Sequence, residues 1–263
     1  MPRYFLNIAF DGARFHGWQR QPGDVSVQQT LEEALEKILR RPTPLTGAGR
    51  TDAGVNARMM PAHFDTEDPI ADPGLFLRSL NALAGPEISI ADARQVAPDA
   101  HARFDATKRT YRYFAVTHKD PFLRSYAWQC SPRLHFEAMN TAAELLLDTR
   151  DFAAFAKAHS DAKTTICHVT AARWITLTPG VHAFEISADR FLRNMVRAVV
   201  GTLVEVGRGK LSVSDFADVI ASGDRSQAGT SMPAHALFLW DVQYPYLDFN
   251  TQSYSQCTDI LFR

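Results

Sequence analysis

The chain is poor in the features that most readily announce a function class. It has three cysteines in 263 residues, Cys130, Cys167 and Cys257, an odd number at wide spacing. That usage excludes a disulfide framework, lacks the paired spacing of a zinc site and suits a reducing cytoplasm. No run of apolar residues reaches the length of a bilayer span. The opening Met1-Pro2-Arg3-Tyr4-Phe5 has no basic stretch followed by an apolar one, so neither a signal peptide nor a membrane partner is expected. There is no P-loop, no Rossmann glycine fingerprint and no zinc pattern joining His-x-Glu to Cys-x-x-Cys, so no nucleotide cofactor and no metal is expected. An excess of charge is missing too: 28 basic against 29 acidic side chains leave a net charge of −1. This excludes binding of nucleic acid by whole-molecule charge and leaves room for a local basic cleft.

What is present is ordinary globular material, 46% hydrophobic and 22% charged, enough for one or two domains with a sizeable core. Tyr4, Leu6, Ile8 and Phe10 alternate, which predicts a strand over 4–10. Ser26 and Gln29 form a capping box ahead of a helix carrying Leu31, Ala34, Leu35, Ile38 and Leu39, stopped by Pro42. A short strand over 61–65, a helix opened by Asp72-Pro73 and closed by Gly85-Pro86, and a strand over 88–95 follow. The second half predicts a strand over 108–117 and a helix near 134–148. A hairpin of 168–177 and 181–188 turns across Pro179-Gly180. Helices near 191–206 and 213–222, the latter begun by Ser212 and Asp215, precede a closing strand over 236–244. Helices mixed with hairpins imply an α+β fold with a largely antiparallel sheet. The halves read as two ferredoxin-like lobes, 1–106 and 107–246, with a polar stretch, 247–263, as a possible tail.

The most telling stretch is Gly49-Arg50-Thr51-Asp52-Ala53-Gly54-Val55-Asn56. No apolar period runs through it, so it is a loop, and its glycines let another backbone or a ligand come close. Asp52 is its lone carboxylate. Taken alone, such an aspartate is most often a turn residue capping its own backbone. Basic residues gather elsewhere: Arg14, His16 and Arg20; His101, Arg103, Lys108, Arg109 and Arg112; Arg190, Arg193 and Arg197. Arg40 and Arg41 read as a solvated face. In the 191–206 segment Leu192, Met195, Val196, Val199, Val200 and Leu203 form one apolar stripe, with Arg193 and Arg197 beside it. Arginines so placed ordinarily snorkel to the surface.

The loop resembles the signature of the bacterial tRNA pseudouridine synthase A family. So do Phe10-Asp11-Gly12 with Phe15-His16-Gly17-Trp18-Gln19-Arg20-Gln21, then His101-Ala102-Arg103-Phe104, Thr110-Tyr111-Arg112-Tyr113, and Phe191-Leu192-Arg193-Asn194-Met195-Val196-Arg197. These stand in the family's order from about residue 3 to Pro245. The resemblance implies a catalytic cleft between the lobes and conversion of uridine to pseudouridine on the 3′ side of the tRNA anticodon stem-loop. It implies a cytoplasmic homodimer that needs no cofactor. Asp52 is then the nucleophile and Arg197 its ion-pair partner. Tyr111 packs against the target base. Arg50 contacts phosphate or drives a flipped nucleotide. Arg14, Arg20, Arg103 and Arg109 are weaker RNA-contact candidates, and Trp18 is a packing residue.

The chemistry asks for such groups. Detaching uracil from ribose C1′ builds oxocarbenium-like charge on the sugar. A carboxylate there stabilises that charge, forms an adduct or takes a ribose proton. It stays ionised in a water-poor cleft only beside a permanent cation, for which arginine is best suited. A base flipped from its stack needs a flat ring in return. Two departures from the family stand out: Asn56 where the family usually has His, and Ser231-Met232-Pro233-Ala234-His235-Ala236-Leu237 where it usually has Gly before Leu. A tRNA-binding or folding module with a dead site, or a synthase with another RNA target, are the competing readings. The intact Asp52, Tyr111 and Arg197 set argues against the first.

Overall fold

The computed structural model describes residues 1–157 and 163–249. They divide into two compact units, Met1–Thr107 with residues 239–249, and Lys108–Phe238. The fold is mixed α+β, with mostly antiparallel strand pairing, as the element order predicts. Among the described residues no helix is long and apolar enough to cross a membrane.

In the first unit β1 (Arg3–Phe10) runs between β3 (Asn56–Asp65) and β4 (Ile88–Val96), antiparallel to both. The two-residue β2 (Thr46–Gly47) pairs with β3 at His63 and Ala62. Two helices, α1 (Val27–Leu39) and α2 (Pro73–Ala84), pack on one another, and α2 lies against β4. Val27, Leu31, Ala34 and Leu35 of α1 and Phe76, Leu80 and Ala84 of α2 are buried, as are Phe5, Leu6 and Ile8 of β1. The Ser26 and Asp72 side chains cap their helices, accepting from the Gln29 and Leu75 amides at 3.2 and 2.8 Å, while the Gln29 side chain donates to Glu33, so the box expected at Ser26 is half formed.

β3 starts at Asn56, five residues before the strand expected from sequence. Its first nine residues are all buried, so no polar–apolar alternation marks it. Its arginine, Arg58, is hidden under the Trp240 ring, 4.8 Å from the centroid. Trp240 belongs to β9 (Leu237–Gln243), which stands next to β3 in the strand order. Residues 239–249, read from sequence as the end of the second lobe and the start of a tail, therefore group with the first unit. Phe249 is buried there and lies 5.6 Å from the Arg94 guanidinium. The rest of that stretch lies outside the described residues.

In the second unit β5 (Lys108–Val116), β8 (Val181–Ala188) and β7 (Val169–Thr178) pair antiparallel, and the short β6 (Trp128–Gln129) pairs parallel to β5. Three helices, α3 (Phe136–Asp148), α4 (Met195–Gly207) and α5 (Val213–Ser222), pack together, and α3 covers β7. The box at Ser212 and Asp215 is complete. α4 begins four residues later than its apolar stripe suggests, because Asn194 takes a left-handed φ of 66° and stops the helix from extending back to Phe191.

The same device secures a strand in each unit. Asn81 of α2 accepts from the Ile90 amide and donates to the Ile90 carbonyl, both at 2.8 Å. Asn140 of α3 does likewise to Trp174 of β7, at 2.6 and 3.1 Å. Each carboxamide replaces a missing neighbouring strand for one residue, which blunts an edge that would otherwise present unpaired backbone groups.

His63 of β3 makes the first unit sensitive to acid. It is buried, and its Nδ1 accepts from the Ala102 amide at 3.1 Å, so protonation removes an acceptor. Burial, with the positive charge of Arg3 second, pushes its pKa down to about 4. Between that value and the ordinary 6.5 the unfolded chain takes up a proton that the folded chain refuses, so stability falls as pH falls through this window and is level above it. Denaturant unfolding should show a loss of about 2–3 kcal/mol from this residue between pH 7 and pH 4.5. His63→Asn keeps an acceptor at the same reach and does not titrate. Its unfolding free energy should fall less over this range than the wild type's, and an equal fall would refute the assignment.

Candidate active site

The loop that carries Asp52 is built by close passage of two backbone segments. At Gly12 a Cβ would overlap the Val55 carbonyl oxygen, and at Gly17, where φ is +88°, it would overlap that of Thr51. Glycine alone permits either approach. Hydrogen bonds then tie the segments: Gly54 N donates to Phe15 O at 3.2 Å, Trp18 N to Thr51 O at 3.4 Å, and Gly12 N to Asn56 Oδ1 at 2.8 Å. A turn closes within the loop as Val55 N donates to Asp52 O at 3.1 Å. On its other side the Phe15–Trp18 segment is bonded to the start of α1, Val27 N to Gly17 O at 3.3 Å and Gln28 N to Trp18 O at 3.0 Å.

Asp52 is half-buried at the head of this turn and Arg50 is exposed two residues before it. Thr51 between them is buried, and its hydroxyl has no hydrogen-bond partner, a cost of about 1–3 kcal/mol held next to the carboxylate. Trp18 is 2% exposed and is a packing residue, as expected. The role of Asn56 is now visible. It is buried and its Oδ1 takes the Gly12 amide where no water reaches. A histidine Nδ1 sits at the same two-bond distance from Cβ and accepts equally well. The exchange therefore keeps the acceptor and loses only a titratable group. Sequence reasoning missed this because the pairing spans 44 residues.

In the second unit Tyr111 and Tyr113 of β5 share a face, and burial separates their roles. Tyr113 is fully buried, its hydroxyl unpartnered and held protonated far above the ordinary phenol range by burial, with the Arg197 charge acting in the opposite direction. Tyr111 is half-buried, its ring braced edge-on by Phe191 at 5.0 Å and 83°. Arg197, on the first turn of α4, is half-buried and does not snorkel. Its Nε donates to Met232 O at 2.6 Å, and Met232 N donates back to Arg197 O at 3.1 Å.

The segment 228–233, whose last three residues begin the 231–237 stretch noted above, is thus a strap along α4. Gly201 admits it, since a Cβ there would overlap the Thr230 carbonyl oxygen. Ser231 Oγ accepts from Asn194 Nδ2 at 2.6 Å and from Arg225 Nη2 at 2.9 Å. Thr202 Oγ1 takes the Gly229 amide at 2.9 Å.

The weaker candidates have local partners. Arg14 pairs with Glu87, Arg20 with Glu32 at 3.2 Å, and Arg109 donates to Asp189 O at 2.6 Å. Arg103 lies over the Phe104 ring at 5.8 Å. Among the described residues no cluster of three His, Cys, Asp or Glu is placed to hold a metal ion.

The profile of the tRNA pseudouridine synthase family matches residues 142–245. A tRNA pseudouridine synthase A of Parabacteroides distasonis is 52% identical over 245 residues, covering 93% of this chain and 97% of that protein. Proteins of the same name from Bacteroides thetaiotaomicron and Chlorobaculum tepidum are 53% and 43% identical, covering 93% and 91% of this chain and 91% and 96% of theirs. Likeness of this extent defines the class as a tRNA-modifying isomerase that forms pseudouridine. Within that class, the chain belongs to the tRNA pseudouridine synthase A family.

The clasp on Gly12 yields a test. Asn56→Ala strands a buried N–H and should cost about 1–3 kcal/mol in chemical unfolding, with pseudouridine formation falling as the loop loosens. Asn56→His should hold both stability and turnover near the wild-type level. A histidine variant as damaged as the alanine variant would refute the equivalence of the two acceptors.

Proposed function

We propose that the chain isomerises uridine to pseudouridine on the 3′ side of the tRNA anticodon stem-loop, in a cleft between two ferredoxin-like lobes, with Asp52 as nucleophile. The observation that carries this reading is the presentation of Asp52: half-buried, on a turn bonded to Phe15 and Trp18 on one side, where Gly17 lets the segments approach, and tied by Asn56 on the other. A carboxylate so fixed meets the need for precise placement against a reacting carbon. The N1–C1′ bond breaks, the carboxylate stabilises the sugar's charge, bonds to the sugar or takes a ribose proton while uracil turns, C5 bonds to C1′, and the proton lost from C5 balances the one gained at N1.

Arg197 is assigned as the ion-pair partner of Asp52; the strap at Met232 holds its Nε and so limits the directions its other donors can take. Tyr111, braced by Phe191, supplies the flat face for the displaced base. Arg50, exposed at the start of the loop, is suited to a phosphate. Arg14, Arg20, Arg103 and Arg109 add weaker contacts. A cytoplasmic homodimer suits a net charge of −1, because two local basic surfaces then share one tRNA.

Mapping pseudouridine in unmodified tRNA transcripts tests the reading. Wild type should modify the anticodon stem-loop and Asp52→Asn should modify nothing while still binding. A wild type that binds tRNA and leaves it unmodified would instead be a binding module, and modification elsewhere would mean another target. Arg197→Met should lose about a hundredfold or more in turnover, the scale of one preorganised charge contact, while keeping much of its tRNA affinity. Its melting temperature is measured in parallel, because Met232 also loses a bond. Near-normal turnover would sink the pairing.

A further inference from the structure

Apart from the Asp52 loop, the first unit carries a column of rings leading from its core to its surface. Phe5 stacks on His63 with centroids 5.7 Å apart, His63 meets His101 at 4.7 Å, and His101 meets Phe104 at 4.3 Å. Phe5 is 0% exposed, His63 6%, and Phe104 75%. The last ring is an apolar face turned to solvent at the end of a rigid support.

The turn that holds it is closed on itself. Asp105 Oδ2 accepts from the His101 amide at 2.7 Å and from the Tyr246 hydroxyl at 2.6 Å. His101 Nδ1 accepts from the Arg103 and Phe104 amides at 3.1 and 3.2 Å, and His101 O accepts from the Asp105 amide at 3.1 Å. The neighbouring Ala102 is pinned from both sides, its amide to His63 and its carbonyl to the Tyr244 hydroxyl at 2.6 Å. Exposure of a phenylalanine forgoes the stabilisation that burying its ring would bring. A ring held this firmly loses little freedom when something flat settles on it. Arg103 places a guanidinium 5.8 Å from the same ring. An aromatic face beside a guanidinium is the pairing that takes an unstacked base and the phosphate next to it. The ring's immediate chain neighbours, Arg103 and Asp105, are charged, which suits a nucleotide better than the broad apolar patch of a protein interface.

We propose that the His101–Asp105 turn is an RNA-docking element, in which an unstacked base of the tRNA stacks on Phe104 while Arg103 meets the adjoining phosphate. The inference rests on the tRNA reading above and adds a contact apart from the residues assigned to chemistry.

Its test compares wild type, Phe104→Ala, Phe104→Trp and Arg103→Gln by fluorescence anisotropy with labelled tRNA transcript, by pseudouridine formation and by sedimentation. Phe104→Ala should weaken tRNA binding about tenfold, the scale of one lost stacking contact, with unchanged melting temperature. Turnover at saturating tRNA should hold. Phe104→Trp should restore affinity, and tRNA should quench its added indole emission. Arg103→Gln should lower the salt slope of binding by about one. Equal affinity of Phe104→Ala and wild type overturns the inference and leaves the enzyme reading intact. So does a Phe104→Ala protein that sediments at lower mass with unchanged tRNA affinity, which would give the ring to a second copy of the chain. A wild type that neither binds nor modifies tRNA overturns both.

Discussion

The site in the first unit depends on one constraint: residues 12–17 and 51–56 pass closer together than side chains permit. Gly12 and Gly17 make the approach sterically possible, and three backbone donors then find acceptors across it. Two of the acceptors are carbonyls of the facing segment. The third is the Asn56 side chain, which also begins β3. Asp52 is therefore carried on a loop whose ends are set by a central strand and whose middle is set by the lead-in to α1. Losing one of these hydrogen bonds, or filling one of these glycines, loosens or displaces the segment that carries the carboxylate.

The second unit solves a similar problem with different parts. There a helix, not a loop, receives the close approach. Gly201 opens α4 to the strap 228–233, and Arg197, one turn earlier, is caught by both backbone groups of Met232. A guanidinium on a bare helix surface has many rotamers; one whose Nε is fixed has far fewer. This is how an arginine beside an apolar stripe avoids the usual fate of reaching for solvent. The polar character of Ser231 and the left-handed Asn194 both contribute, the one by accepting from the other.

How much of this was legible in the sequence follows from the range of each interaction. Elements whose signals are local were readable: Ser26 and Asp72 cap the helices they precede, and Pro179-Gly180 turns the hairpin that flanks it. The start of β3 was not, because a strand buried on both faces lacks alternation and because Asn56 and Arg58 look like loop residues until Gly12 and Trp240 are seen to partner them. The grouping of residues 239–249 with the first unit has no local signal at all; it is a matter of which strand β9 lies beside. Of the candidate residues, Asp52, Arg50, Tyr111 and Arg197 stood out through their motifs, whereas the residues that hold each of them in its own unit did not. Glycines at 12, 17 and 201 carry no chemistry of their own, and their meaning is the atom each lets come near.

The near-zero net charge constrains how such a protein holds RNA. With 28 basic and 29 acidic side chains, long-range attraction is weak and screened beyond about 8 Å at physiological salt. Several of the arginines nearest the motifs are engaged locally: Arg14 by Glu87, Arg20 by Glu32, Arg112 by Glu185. Affinity must then come in larger part from short-range contacts whose geometry is prepared in advance. Flat rings on stiff supports are such contacts, since a stacked base gives about 1–3 kcal/mol regardless of ionic strength. Tyr111 braced by Phe191 and Phe104 seated on His101 share that form, a ring supported by a neighbouring ring. On the proposed reading, a stiffly held aromatic face takes up in such a chain part of the work that a basic surface does elsewhere.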